Sequence, residues 1–191
     1  MRLDKDFFER DTATVARELL GNFLVRINEG KPLRGRIVET EAYYGEGDPP
    51  SHASSGKTSR SKIMWERPGL VYVYLVYGIH YMFNVVCEPQ GKPGAVLVRA
   101  VEPEEGTETM VSNRGGAEIP QLTNGPGKLT EAFAISREEN GLDLTKSEEL
   151  WLEKGPANGS SKVETSGRIG ISRGKEEQLR YFFQNNPFVS G

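Results

Sequence analysis

The chain has 191 residues, enough for one domain with a real core, and its 36% hydrophobic and 27% charged content is ordinary for a globular protein. A formal net charge of −3 argues against wide non-specific wrapping of nucleic acid while leaving room for a local basic face. Cys87 is the only cysteine, which excludes an intramolecular disulfide and a cysteine-based metal site, and no apolar stretch suits a signal peptide or a membrane span, so a cytoplasmic protein without metal or cofactor is expected.

In chain order, Asp4 to Arg10 reads as a short helical turn, and Asp11 or Thr12 caps a second helix over Thr14 to Leu20 that Gly21 stops. Phe23 to Ile27 reads as a strand, Asn28-Glu29-Gly30 as a turn, and Arg34 to Tyr43 as a second strand. Glu46 to Trp65 is long, polar and aperiodic, and loops of that length are often functional. Val71 to Asn84 is the longest run of strand-favouring residues, broken by one glycine, and reads as two antiparallel strands folded back at Tyr77-Gly78-Ile79. A turn over Pro89 to Gly94 and a strand over Ala95 to Val101 follow, then a helix opened by Pro103 and running to about Asn113. Pro126 opens another helix through Ile135, and Leu150–Glu153, Arg168–Ser172 and Leu179–Phe183 are short strand candidates. With no internal repeat and no linker-like tract, the pattern predicts one α+β domain over residues 1–191 around a mainly antiparallel sheet.

Several places carry potential chemistry. In an extended strand Glu39, Glu41 and Tyr43 share one face with Ile37, and two carboxylates there are either solvated or held at a strand end for use as a base. Arg99, between Val98 and Ala100, is a charge in an apolar strand and needs a partner, for which Glu41 or Glu39 is the natural candidate. His52 lies in the long loop among serines, and taken alone it reads as a solvated loop residue. Lys57, Arg60, Lys62 and Arg67 stand against one acid, Glu66, with hydroxyl residues between them, a composition that suits phosphate contacts. Asn124-Gly125-Pro126-Gly127-Lys128 offers free backbone N–H groups and a cation at a helix start, though it is not the nucleotide P-loop pattern. A tyrosine beside the turn glycine, Tyr77, would stand exposed at the hairpin tip. Stacking aromatics together with backbone contacts are the means by which a base is taken out of a helix.

The ordered series Arg36-Ile37-Val38-Glu39-Thr40-Glu41-Ala42-Tyr43, His52, Pro68 to Tyr74, Tyr77-Gly78, Asn84, Leu97-Val98-Arg99-Ala100, Gly125 to Leu129 and Gly155-Pro156 resembles the alkyladenine (3-methyladenine) DNA glycosylase family, the type without a helix-hairpin-helix, over about Leu3 to Val189. The chain looks like the compact bacterial form. The resemblance implies a curved antiparallel sheet with a β-hairpin that enters the minor groove of double-stranded DNA. Tyr77 would fill the gap left by the extruded nucleotide, beside Ile79 and His80 where Met and Tyr are familiar. The flipped base would lie between Tyr43 with His52 on one side and Tyr74 on the other, with the His52 amide reading the base edge and Asn84 crowding a guanine amino group. Glu41 would activate water, with Arg99 and the Ile169 carbonyl positioning it, while Lys57, Arg60, Lys62, Ile79, Gly127 and Lys128 would contact DNA. The implied enzyme is a monomer that acts on alkylated or deaminated purines without a lyase step.

Two other readings use the same residues. A non-catalytic nucleic-acid-binding module could use the same hairpin but has no need of Glu41 with Arg99; a glycoside hydrolase could use Glu39 and Glu41 as its carboxyl pair, against which the basic loop argues. The hairpin register is open: a two-residue loop pairs Tyr74 with Phe83, a three-residue loop sets it facing Asn84, and the family reading favours the odd loop.

Overall fold

Helix α1 (Lys5–Phe8) is capped by the Asp4 side chain on the Phe7 amide, and α2 (Thr12–Leu19) by Asp11 on the Thr14 amide. The buried stripe Val15, Ala16 and Leu19 of α2 lies on β2, where the Thr40 hydroxyl donates to the Ala16 carbonyl at 2.7 Å. This contact fixes which face of β2 meets the core. Because side chains alternate along a strand, Glu39, Glu41 and Tyr43 turn to the other side. The computed structural model describes residues 1–156 and 161–191.

The strands are β1 (Phe23–Asn28), β2 (Lys31–Tyr43), β3 (Val71–Val76), β4 (His80–Val86), β5 (Ala95–Glu105), β6 (Leu150–Glu153), β7 (Val163–Ser166) and β8 (Arg180–Phe183), with helices α3 (Thr107–Asn113) and α4 (Pro126–Ala132) between β5 and β6. They form one antiparallel sheet in the order β3-β4-β5-β2-β1-β6, extended by β8 on β2 and β7 on β8. The thirteen-residue β2 is the spine of the fold. Its first half pairs with β1, its second half with β8, and β5 runs along its other edge. Register shifts at Ile37/Glu39 and Glu39/Thr40 lie where the partner changes from β1 to β8. Such bulges bend a strand and sharpen its twist, and they re-aim the side chains beyond. One consequence departs from simple alternation: Ile37 and Val38 both join the core, so Ile37 is not a companion of the Glu39 face.

Most predicted elements are present, with four corrections. Pro103 does not open a helix; β5 continues through it to Glu105, and α3 begins after Gly106. Pro103 is tolerated there because it faces Gly35 at a register irregularity, where a missing N–H is least missed. The helix from Pro126 stops at Ala132, and Ala134 turns left-handed behind it. Arg168–Ser172 is not a strand; Val163–Ser166, unpredicted, pairs with β8 instead.

The hairpin loop is odd, Tyr77-Gly78-Ile79, but centred on Gly78, so Tyr74 pairs with Met82 and Asn84 with Tyr72. The expected Tyr74–Asn84 pairing is therefore displaced by one step along the face. The two side chains still share a face, since register changes by even steps preserve it. Tyr77 and Gly78 both have positive φ, 53° and 74°, as the primed turns of tight hairpins require. Val73 and Val85 are buried in the sheet, whereas Leu75, Tyr77 and Ile79 stand exposed at the protruding end. On the far side His80 rests against α4, where a Cβ on Gly127 would fall 3.0 Å from its ring.

Candidate active site

Two carboxylates share the outward face of β2, and their surroundings separate them. Glu39 is wholly buried and held by four donors: Oε1 accepts from Arg99 Nε (2.9 Å), Arg180 Nε (2.7 Å) and the Ser190 hydroxyl (2.8 Å), and Oε2 accepts from the Ser190 amide (2.7 Å). Glu41 is equally buried but less crowded: Oε1 takes the Ile169 amide at 2.7 Å and Arg99 Nη1 at 3.4 Å, and Oε2 takes only the Tyr43 hydroxyl at 2.7 Å. A carboxylate oxygen has two acceptor sites, so Oε2 keeps one on each carboxylate, but only at Glu41 is the partner there, Tyr43, a residue of the adjoining crevice. Neither carboxylate is solvated, and Arg99 pairs with both. Burial alone would lower the Arg99 pKa, but Glu41 and Glu39 beside it carry it above its ordinary value, so the guanidinium stays charged.

Next to this pair is a narrow crevice lined by Tyr43, Pro50, Ser51, His52, Met64, Tyr72, Tyr74, Asn84 and Ala95. Four of the expected base-pocket residues, Tyr43, His52, Tyr74 and Asn84, thus converge from β2, the long loop and both strands of the hairpin. His52 meets Tyr74 edge-on, ring centroids 4.5 Å apart, and its Nδ1 lies 2.8 Å from the Tyr72 hydroxyl. The Asn84 amide nitrogen is taken up by the carbonyls of Tyr72 (3.0 Å) and Met82 (3.2 Å), which locks the side chain against the crevice wall. Ile169 is placed beside Glu41 through its amide, which donates to the carboxylate.

Burial, and the charge of Arg60 after it, push the His52 pKa down from 6.5 to about 4. The imidazole is therefore neutral near pH 7. Since the unfolded chain takes up a proton at about 6.5 and the folded chain resists until about 4, folded stability falls as pH drops through that interval. Thermal melts from pH 7 to pH 4 should show His52→Gln losing less stability than the parent; identical pH slopes would refute the buried, neutral assignment. Burial likewise raises the Tyr43 hydroxyl, helped by the Glu41 charge, and raises Tyr74, so both remain protonated.

The basic loop divides on inspection. Arg60 lies over the Tyr74 ring at 5.0 Å, Lys57 and Lys62 are exposed, and Lys57 is only loosely opposed by Glu66 at 3.8 Å. Arg67, by contrast, is committed to Asp143 as an ion pair. At the start of α4, Lys128 Nζ donates to Asn124 Oδ1 at 2.8 Å, a neutral partner that leaves its charge unbalanced.

Sequence reasoning missed Tyr72, Asp48, Arg168, Arg180 and Ser190. Arg180 carried the same signal that singled out Arg99, a charge in an apolar strand, and Arg168 sat inside a segment misread as a strand. Asp48 and Ser190 had no signal, being single polar residues in turn-like sequence. Among the described residues no group of three or more His, Cys, Asp or Glu side chains could hold a metal ion, and no helix is long and apolar enough to cross a membrane.

The sequence was compared with known proteins. The family model described as methylpurine-DNA glycosylase matches residues 6–187. A relative from Chlorobium phaeobacteroides, named as a proposed 3-methyladenine DNA glycosylase, is 49% identical over 97% of this chain and 95% of its own length. Relatives with the same name from Chlorobium phaeovibrioides (50% identical; 99% of this chain, 96% of its own) and Methanocella arvoryzae (46%; 98% and 95%) are similar from end to end. The aromatic crevice, the buried carboxylate and the exposed hairpin thus stand in a chain that belongs to the methylpurine-DNA glycosylase family.

Proposed function

We propose that this protein is a monofunctional DNA glycosylase that flips an alkylated purine from duplex DNA into the crevice between Tyr43, His52 and Tyr74 and hydrolyses its N-glycosidic bond. The observation that carries this reading is Glu41: a buried carboxylate held by Arg99 and the Ile169 amide and joined to the aromatic crevice through the Tyr43 hydroxyl on Oε2, where one acceptor site is left. A non-catalytic DNA-binding module has no use for such a group, since a buried carboxylate near phosphates opposes binding. A glycoside hydrolase would need two working carboxyl groups, and Glu39 is tied to four donors from residues that do not line the crevice.

Alkylation at N3 or N7 makes the purine cationic and a better leaving group. The aromatic faces of Tyr43 and Tyr74 favour that cation over its neutral parent. As the glycosidic bond breaks, the electron pair leaves with the base and the sugar becomes oxocarbenium-like. The Glu41 charge stabilises that cation and accepts a proton from the attacking water. Water adds at C1′, and the products are free base and an abasic site. No lysine lines the crevice, so no Schiff-base step follows. 3-Methyladenine is the expected substrate, with 7-methylguanine, hypoxanthine and ethenoadenine within reach of the same pocket. Lys57, Arg60, Lys62 and Lys128 supply cations for the phosphates, with Ile79 in the hairpin loop and Gly127 against His80 of its second strand.

The test is release of free 3-methyladenine and formation of abasic sites from methylated duplex DNA; no release at enzyme excess would sink the proposal. Tyr77, 87% exposed at the tip, fills the vacated stack. Tyr77→Ala should lower the flipped population about tenfold or more, since stacking contributes roughly 1–3 kcal/mol per base. Fluorescence of a 2-aminopurine beside the lesion reads this directly, and an unchanged signal would refute intercalation by Tyr77.

A further inference from the structure

Beside Tyr43, and outside the crevice lining, lies another buried ion pair. Arg168 is fully buried and forks onto Asp48, Nη1 to Oδ2 at 2.8 Å and Nη2 to Oδ1 at 2.7 Å. Nη1 also donates to the Ala42 carbonyl at 2.8 Å, and the guanidinium stands 4.7 Å from the centre of the Tyr43 ring. Asp48 Oδ2 accepts from the Tyr44 amide at 2.8 Å, and the Asp48 carbonyl from the Ser51 amide at 2.9 Å, one residue before His52.

Three segments therefore meet at one fork: the end of β2 and the residue after it at 42–44, the loop just beyond at 48–51, and the turn at 167–169, distant in sequence from both. Each leads directly to one element of the site, Tyr43, His52 and the Ile169 amide on Glu41. Arg168 does not itself line the crevice. We propose that the Arg168–Asp48 pair is the positioning unit of this site, setting where the Tyr43 ring and the Ile169 amide, and through them Glu41, stand relative to the flipped base. The proposal rests on the reading of Glu41 as the base.

Stability alone is a poor explanation for this pair. Well-packed apolar residues often serve as well as a buried ion pair, and Arg168 Nε is buried with no hydrogen-bond partner. What an arginine fork supplies, and an apolar residue or a lysine does not, is fixed two-point geometry. Lysine keeps the charge but offers one donor head to partners that need three directions.

The experiment measures single-turnover base release, and separately the affinity for duplex containing an abasic-site analogue, for the parent, Arg168→Lys, Asp48→Asn and the double variant. Misplacing reacting groups by about 1 Å is enough to slow a reaction about 100-fold, so Arg168→Lys should lose about that much rate while its Kd stays within about threefold. Asp48→Asn should match it, and the double variant should be no slower than either, because both act through one fork. Arg26→Gln, which breaks the buried Arg26–Glu139 pair on β1, serves as the control and should lower the Tm but leave the rate unchanged. A parent-like rate in folded Arg168→Lys overturns the proposal, as does equal loss of rate and affinity, or an Arg26→Gln variant that is just as slow. If neither Arg168→Lys nor Asp48→Asn folds, the pair is structural and the proposal also falls. Glu41→Gln in the same assay separates the two readings: continued base release there refutes the base, whatever Arg168→Lys does.

Discussion

Glu41→Gln should abolish base release while leaving lesion DNA bound. Glutamine has the size of glutamate and can still accept from the Ile169 amide and meet the Tyr43 hydroxyl, so the crevice keeps its shape. What it lacks is the negative charge and the basic lone pair. Positioned general bases contribute about 10²–10⁴ in rate, and the loss of charge beside an oxocarbenium-like sugar adds to that. A fall of at least about 10³-fold in single-turnover release is expected, with Kd for a methylated duplex changed by less than about threefold. Stability should change little, because Arg99 retains Glu39 at 2.9 Å. Release at more than a tenth of the parent rate would remove Glu41 from the mechanism.

Glu39→Ala should have the opposite phenotype, a large loss of stability. This carboxylate, itself fully buried, holds two nearly buried arginines, Arg99 and Arg180, and the Ser190 amide and hydroxyl. Removing one partner of a buried ion pair costs about 3–5 kcal/mol, because the remaining charge is left unpaired. That is a large part of the roughly 5–15 kcal/mol by which proteins of this kind are stable, and it corresponds to a fall in Tm of about 10 °C or more. Thermal and urea unfolding measure it. A variant within about 2 °C of the parent would show that the arginines find other partners.

These two residues show what the sequence carries and what it does not. Alternation along Arg34–Tyr43 put both carboxylates and Tyr43 on one face, and the structure agrees from Glu39 onward. Alternation alone did not separate the two carboxylates, and only the motif series pointed to Glu41; their different surroundings depend on Arg180, Ser190 and the Ile169 amide, more than a hundred residues away. The bulge at Ile37/Glu39, which takes Ile37 off that face, has no composition signature either. The hairpin announced itself by its β-branched and aromatic run, and its glycine marked the turn; the centre of the loop, and so the Tyr74–Met82 pairing, followed from Tyr77 accepting positive φ, which tyrosine does not advertise. Pro103 misled because its local preference for a helix start was overridden by pairing with β2. His52 and its loop were placed by the motif series, and only the fold shows the ring buried against Tyr72 and Tyr74.

The left-handed backbone of Tyr77 sets durability against activity at one position. A bulky residue is uncomfortable at φ 53°, and glycine there would relieve about 1 kcal/mol or more of strain. A laboratory population selected only for heat resistance would thus be drawn toward losing this tyrosine, and would discard the proposed wedge with it. Directed evolution of this scaffold should hold residue 77 under a repair-dependent selection, and seek added robustness in the β1–β6 half of the sheet, away from the hairpin.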